Sequence, residues 1–150
     1  IIMAYRGCGK SFLTAGYVLW RLRKNPDTKV LVISAAQDRA DAFSVFCHDL
    51  LRNWFMVQDL FPSDTQRFSK VAFDVFGSKP DQSPSVRSSG IFGQITGSRA
   101  DLIVADDVET PQSCETQLIR DKLRESIKEF DSVIKPGGEI ATKSETDEMK

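Results

Sequence analysis

A chain of 150 residues with 41% hydrophobic side chains, 27% charged ones and a net charge of −1 has the balance of a soluble globular domain, and can bury roughly 68–70% of its unfolded surface in one core. That excludes wholesale disorder, and the near-neutral charge excludes a uniformly basic surface, so any contact with a polyanion has to be local. The three scattered cysteines (Cys8, Cys47, Cys114) and single histidine (His48) argue against a zinc cluster or disulfide framework, and no run approaches the ~18 apolar residues of a membrane span.

Ile1-Ile2-Met3-Ala4 is an apolar run that reads as a strand already under way. With neither an initiator methionine nor a basic-then-apolar leader ahead of it, the chain is expected to be a fragment truncated at its N-terminus. After a glycine-bearing turn, residues 11–24 are expected to form a helix carrying Phe12, Leu13, Leu19, Trp20 and Leu22, apolar on nearly every side and so buried against a sheet. Asn25-Pro26-Asp27 ends it. Lys29-Val30-Leu31-Val32-Ile33-Ser34 is a continuous run without alternation, as in a parallel strand covered on both faces.

Ser34 and Gln37 fit an S-x-x-Q capping box for the next helix, whose stripe runs Ala36, Ala40, Phe43, Cys47, Leu50 and Trp54. On that stripe Cys47 is expected to be a small buried hydrophobe, and His48 beside it a surface residue. From 62 to 99 the texture changes to short extended stretches. Val71, Phe73 and Val75 share one face and 86–91 forms a second stretch, which together read as a β-hairpin inserted in the α/β core. The polar, proline-bearing 77–85 loop joins them.

Asp101-Leu102-Ile103-Val104-Ala105-Asp106-Asp107 is an apolar strand ending in two carboxylates. Ile119, Leu123, Ile127, Phe130 and Ile134 mark a third helix, stopped by Lys135-Pro136-Gly137-Gly138. Residues 139–150, mostly charged and small polar, are assigned no structure and read as a disordered tail. The expected fold class is therefore α/β, a mostly parallel central sheet flanked by helices, with one domain over 1–138.

The chemistry is concentrated at the first turn. Binding phosphates requires successive backbone N–H groups facing one concavity at a helix N-terminus, a lysine for the β/γ-phosphates and a hydroxyl for Mg²⁺. Gly7, Cys8, Gly9, Lys10 and Ser11 supply these parts, with Arg6 inside the same loop. The strict pattern G-x-x-x-x-G-K-[ST] is missed at its first glycine, which is Ala4 here. The strand ending in Asp106-Asp107 has the form of a Walker B strand, whose acid holds the Mg²⁺ water shell. Ser11 and Asp106 are thus the candidate metal ligands. Asp107 is the candidate for orienting or deprotonating the attacking water, with Glu109, one methylene longer, as its rival. Arg6 is read as a transition-state charge acting in cis, against the plainer alternative of an exposed surface arginine.

Ala4-Tyr5-Arg6-Gly7-Cys8-Gly9-Lys10-Ser11, together with Gly93-Gln94-Ile95-Thr96-Gly97-Ser98-Arg99-Ala100-Asp101-Leu102-Ile103-Val104-Ala105-Asp106-Asp107, resembles the large terminase subunit of short-tailed bacteriophages, over roughly residues 1–138. Ala4 and Arg6 match that family's variant Walker A loop, and Asp106-Asp107 falls where it has its Walker B acid and catalytic carboxylate. The resemblance implies a P-loop NTPase fold and a Mg²⁺-dependent ATPase that drives double-stranded DNA into a procapsid. It also implies a portal protein and a small terminase subunit as partners, a homo-oligomeric ring, and a place in the host cytoplasm and transiently at the portal. Two features depart from the family: Asp107 stands where many relatives have glutamate, and nothing after Ile140 looks like its coupling strand. The family's C-terminal nuclease domain is absent from this chain. A helicase-like nucleic-acid-stimulated ATPase and a hydrolysis-incompetent nucleotide-binding fragment are the other readings of the same motifs. Lys79, Arg87 and Arg99 are basic residues within reach of a phosphate backbone, with solvated surface charge as the default for each.

Overall fold

In the computed structural model, which describes residues 2–4, 9–93, 95, 97–108 and 116–145, the two continuous apolar runs become the centre of a sheet. The elements in chain order are β1 (Ile2–Ala4), α1 (Lys10–Lys24), β2 (Val30–Ser34), α2 (Gln37–Asn53), a 3-10 turn at Gln58–Leu60, β3 (Ala72–Phe73), β4 (Val86–Gly90), β5 (Ala100–Asp106), α3 (Gln117–Val133) and β6 (Ile134–Glu145). They form one six-stranded sheet in the order β1-β6-β5-β2-β4-β3. All pairings are parallel except that of β3 with β4.

β2 lies between β5 and β4 and is buried at every position, which is why its sequence shows no polar alternation. Its even-numbered residues, Val30 and Val32, join Leu102, Val104 and Val86 in a core under α1 and α2. Leu31 and Ile33 join Ile103 and Ala105 on the opposite face, where Leu123, Phe130 and Val133 of α3 cover them. Helices therefore close both faces, as an apolar parallel sheet requires. No helix among the described residues is long and apolar enough to cross a membrane.

Several expectations are corrected in detail. α1 is not buried all round: Ala15, Val18, Leu19 and Leu22 face the core, while Phe12, Leu13 and Trp20 stay about half exposed. The capping box does not form. α2 begins after Ala36 without a side-chain cap, and Gln37 instead reaches across to β4, its Oε1 accepting the Gly90 N–H at 2.9 Å. The antiparallel pair expected in 62–99 is present, but its second strand, β4, is also a parallel member of the central sheet. The largest revision is β6. A strand runs to Glu145 through the stretch after 138 that was assigned no structure, and it pairs with β5 on one side and β1 on the other.

β6 is entered through a bulge. Ile134 pairs with Ala100, but the next register pair is Glu139 with Leu102, so residues 135–138 loop out opposite a single residue. Gly138 sits so close to β5 that a Cβ would lie 2.6 Å from Ile134 Cγ1 and 3.0 Å from the Asp101 carbonyl oxygen. Only glycine fits there, and the Pro-Gly-Gly sequence that suggests a terminator is the joint between α3 and the last strand.

His48 is likewise not a surface residue. It is buried, stacked on Phe68 at 4.1 Å and edge-on to Phe73 at 4.6 Å, because the buried face of α2 spans 43/44, 47/48 and 51 rather than a single row. Neighbouring Cys47 is fully buried as expected, and burial pushes its thiol up to about 12. Burial, and then the Arg52 charge, lower the His48 imidazole below its ordinary 6.5. The unfolded chain therefore takes up a proton that the native state resists, and stability falls as pH drops below about 6.5. Chemical denaturation of His48→Gln is expected to show a flatter stability profile between pH 7 and 5 than the wild type; an identical slope would mean that His48 charges freely in the native state.

Candidate functional site

The parallel strands β1, β6, β5, β2 and β4 all end on one edge of the sheet, and the candidate residues gather there. The register places Ala4 beside Glu145, Lys143 beside Asp106, and Asp106 beside Ser34. Because β6 intervenes, β1 and β5 are two strand spacings apart, ~10 Å. A crevice outside the carboxyl ends of such strands is where open α/β sheets bind ligands.

On one side of the crevice, α1 starts at Lys10 with Gly9 as its N-cap. Gly9 has φ +82, and nothing lies within 4 Å of where its Cβ would stand. Glycine is required there by the left-handed backbone, which costs other residues ~1–2 kcal/mol, and not by lack of room. The Leu13 N–H bonds back to the Gly9 carbonyl at 3.1 Å, closing the first turn. The first-turn amides of a helix lie outside its own i→i−4 ladder, and this end carries the positive pole of the helix dipole. Lys10 is only 6% exposed. In the next turn, Thr14 Oγ1 donates to the Lys10 carbonyl at 2.8 Å. Ser11 follows at an exposed position of this turn. Arg6, Gly7 and Cys8 lie outside the described residues.

Across the crevice, β5 is buried from Leu102 to Ala105 and emerges at Asp106, where it becomes partly exposed. Asp107 follows with φ 45, the one non-glycine residue with positive φ among those described. Aspartate tolerates this region better than most side chains, and such backbone tension is characteristic of functional turns. The chain thus turns sharply as soon as it leaves the sheet, with two consecutive acidic residues at its edge. Glu109 lies outside the described residues.

The structure therefore brings Gly9, Lys10 and Ser11 to the same edge as Asp106 and Asp107. A hydroxyl and a carboxylate are hard oxygen donors, and Mg²⁺ takes one or two of these while keeping several waters, so Ser11 and Asp106 suit that ion. The part that sequence reading missed is the end of β6, which lies between the loop strand and the acid strand. Its only sequence signal is Ile140 and Thr142 spaced by two, too short a pattern to stand out among polar residues.

The chain is 48% identical over 136 residues to the terminase large subunit of Enterobacteria phage T3, an alignment covering 91% of this chain and 23% of that protein. It superimposes on the large terminase ATPase domain of Thermus phage P74-26 with a TM-score of 0.59 at 14% identity, covering 95% of this chain and 58% of that one. An arginine-to-alanine variant of the same domain gives the same TM-score at 13% identity. No protein-family model matches the chain. The resemblance read from 4–11 and 93–107 is borne out, and the fold is the α/β P-loop type expected.

Proposed function

We propose, from the premise that the chain belongs with the large terminase subunits of phages, that it is the ATP-hydrolysing motor part of such a subunit and powers packaging of double-stranded DNA into a procapsid. One observation carries the catalytic half of this reading. A left-handed glycine and a buried lysine open the helix after β1, and a strand with a terminal carboxylate ends on the same edge, one strand removed. Phosphate oxygens would lie against the first turn of α1, with Lys10 neutralising the β/γ-phosphates and Ser11 and Asp106 holding Mg²⁺ with its waters. Bound there, the ion would offset the charge that develops between the phosphates. Asp107, or Glu109 in its place, would orient the attacking water and accept its proton, and Arg6 would add positive charge to the transition state.

The motor half rests on homology alone. The chain spans 23% of the length of the curated relative it matches, so duplex DNA, a portal, a small subunit, a ring of copies and the host cytoplasm are proposed from that kinship. Weak, sequence-independent and salt-sensitive contacts suit a motor that must release DNA at each step.

The test is Mg²⁺-dependent binding of a fluorescent ATP analogue, then phosphate release with and without duplex DNA. Lys10→Ala, with its fold checked by circular dichroism, is expected to weaken analogue binding on the order of 10²-fold. Wild-type affinity in Lys10→Ala would sink the nucleotide site. Binding without release in the wild type, with or without DNA, would identify a hydrolysis-incompetent nucleotide-binding fragment.

A further inference from the structure

The opposite edge of the sheet carries a second concentration of charge. A cavity of ≈ 260 Å³ opens at the amino-terminal ends of β2, β4 and β5, and its lining includes Lys29, Arg87, Ser98 and Arg99 but no carboxylate. Three cations on one small concave surface are conspicuous in a chain of net charge −1. These strands are parallel and in register, so the cavity stands one full strand length from Asp106, ~20 Å.

Lys29 is the telling residue. Its side chain is 7% exposed, and the carboxylate paired with it, Asp81, is half exposed and 3.7 Å away. Another acid, Asp101, is otherwise engaged: it accepts the Lys29 backbone N–H at 2.8 Å and the Lys135 ammonium at 2.9 Å. A nearly buried ammonium held by one long ion pair is costly unless another acceptor completes its shell. Arg87, which donates to Ser98 Oγ at 2.7 Å, adds a second positive charge to the lining. Exposed Arg99 stands at the mouth.

We propose that this cavity is a second phosphate-recognition site, separate from the nucleotide site, with Lys29 at its floor and Arg87 and Arg99 on its walls. Its volume suits one phosphate group with part of a sugar rather than a drug-sized ligand. The phosphate comes either from a nucleic-acid backbone, a source that rests on the packaging reading, or from free phosphate. In the first case the cavity holds a single phosphodiester without reading sequence.

The test uses two probes on the full chain: anisotropy of a labelled 20-base-pair duplex at low salt, and calorimetric titration with inorganic phosphate in the Lys10→Ala background, where the nucleotide loop is disabled. Arg99→Gln, at an exposed position, and Lys29→Gln, with its fold checked by circular dichroism, are each expected to weaken duplex binding roughly five- to tenfold and to lower the salt slope by about 1, leaving ATP-analogue binding unchanged. Phosphate binding that these variants weaken, with no duplex binding by the wild type, would keep the site, assign it to free phosphate and count against the DNA reading alone. Wild-type affinity for both probes in both variants, or no binding of either probe by the wild type, would overturn the site.

Discussion

Arg6→Ala is expected to slow ATP hydrolysis by ~10³–10⁵-fold, the contribution of an arginine to phosphoryl transfer, while leaving binding of a non-hydrolysable analogue within a few-fold. The separation follows from when the charge is needed. In the proposed site Lys10 and the amides of the first α1 turn would already offset the ground-state charge of the phosphates, whereas charge that builds up on the transferring group has to be met at the moment of reaction. Arg6 is covalently confined between Ala4, the end of β1, and Gly9, the cap of α1, so it belongs to the loop that would hold the phosphates. Arg6→Lys is the sharper variant: it keeps a positive charge but loses the planar fork, and should recover only part of the rate. Single-turnover phosphate release within a few-fold of wild type in Arg6→Ala would make Arg6 an ordinary surface residue.

Asp107→Asn is expected to reduce turnover by ~10²–10⁴-fold, the usual worth of a positioned general base. Asparagine is the appropriate replacement because it also tolerates the left-handed backbone at φ 45, where alanine would add conformational strain to the chemical loss. Analogue affinity should hold in Asp107→Asn and fall in Asp106→Asn, since the Asp106 side chain is assigned to Mg²⁺. Glu109→Gln decides between the two candidate bases. If it, and not Asp107→Asn, removes hydrolysis, the longer side chain is the one that meets the water.

How much of this was legible in the sequence varied with how local the signal was. β2 and β5 could be read directly, because a strand covered on both faces has to be apolar at every position. The placement of Gly9, Lys10, Ser11 and Asp106 at one sheet edge was legible for a related reason: a glycine turn before a helix sits in consecutive residues, and a strand-terminal acid shows as the first charge after a hydrophobic run. His48 was misplaced because two aromatic rings from beyond α2, Phe68 and Phe73, decide its burial, and helical spacing carries no information about them. β6 was missed for a stronger version of the same reason. Its residues are polar, a four-residue bulge interrupts it, and its strand character comes from ladders on both sides, to β1 and β5. Tertiary pairing overrode propensity there.

The position of β6 also sets a timetable. β1 is the first of the described strands, yet its partner in the sheet is a strand that ends at Glu145, so the two halves of the crevice are joined by almost the last described segment to be synthesised. A nascent chain still holding residues 134–145 inside the ribosome has its lysine and its carboxylates, but no strand to set the distance between them. Contacts of such long sequence separation form late and slowly. During translation the competence to grip a nucleotide would therefore appear abruptly, only once residues 134–145 have left the ribosome, and shorter nascent chains would not consume ATP.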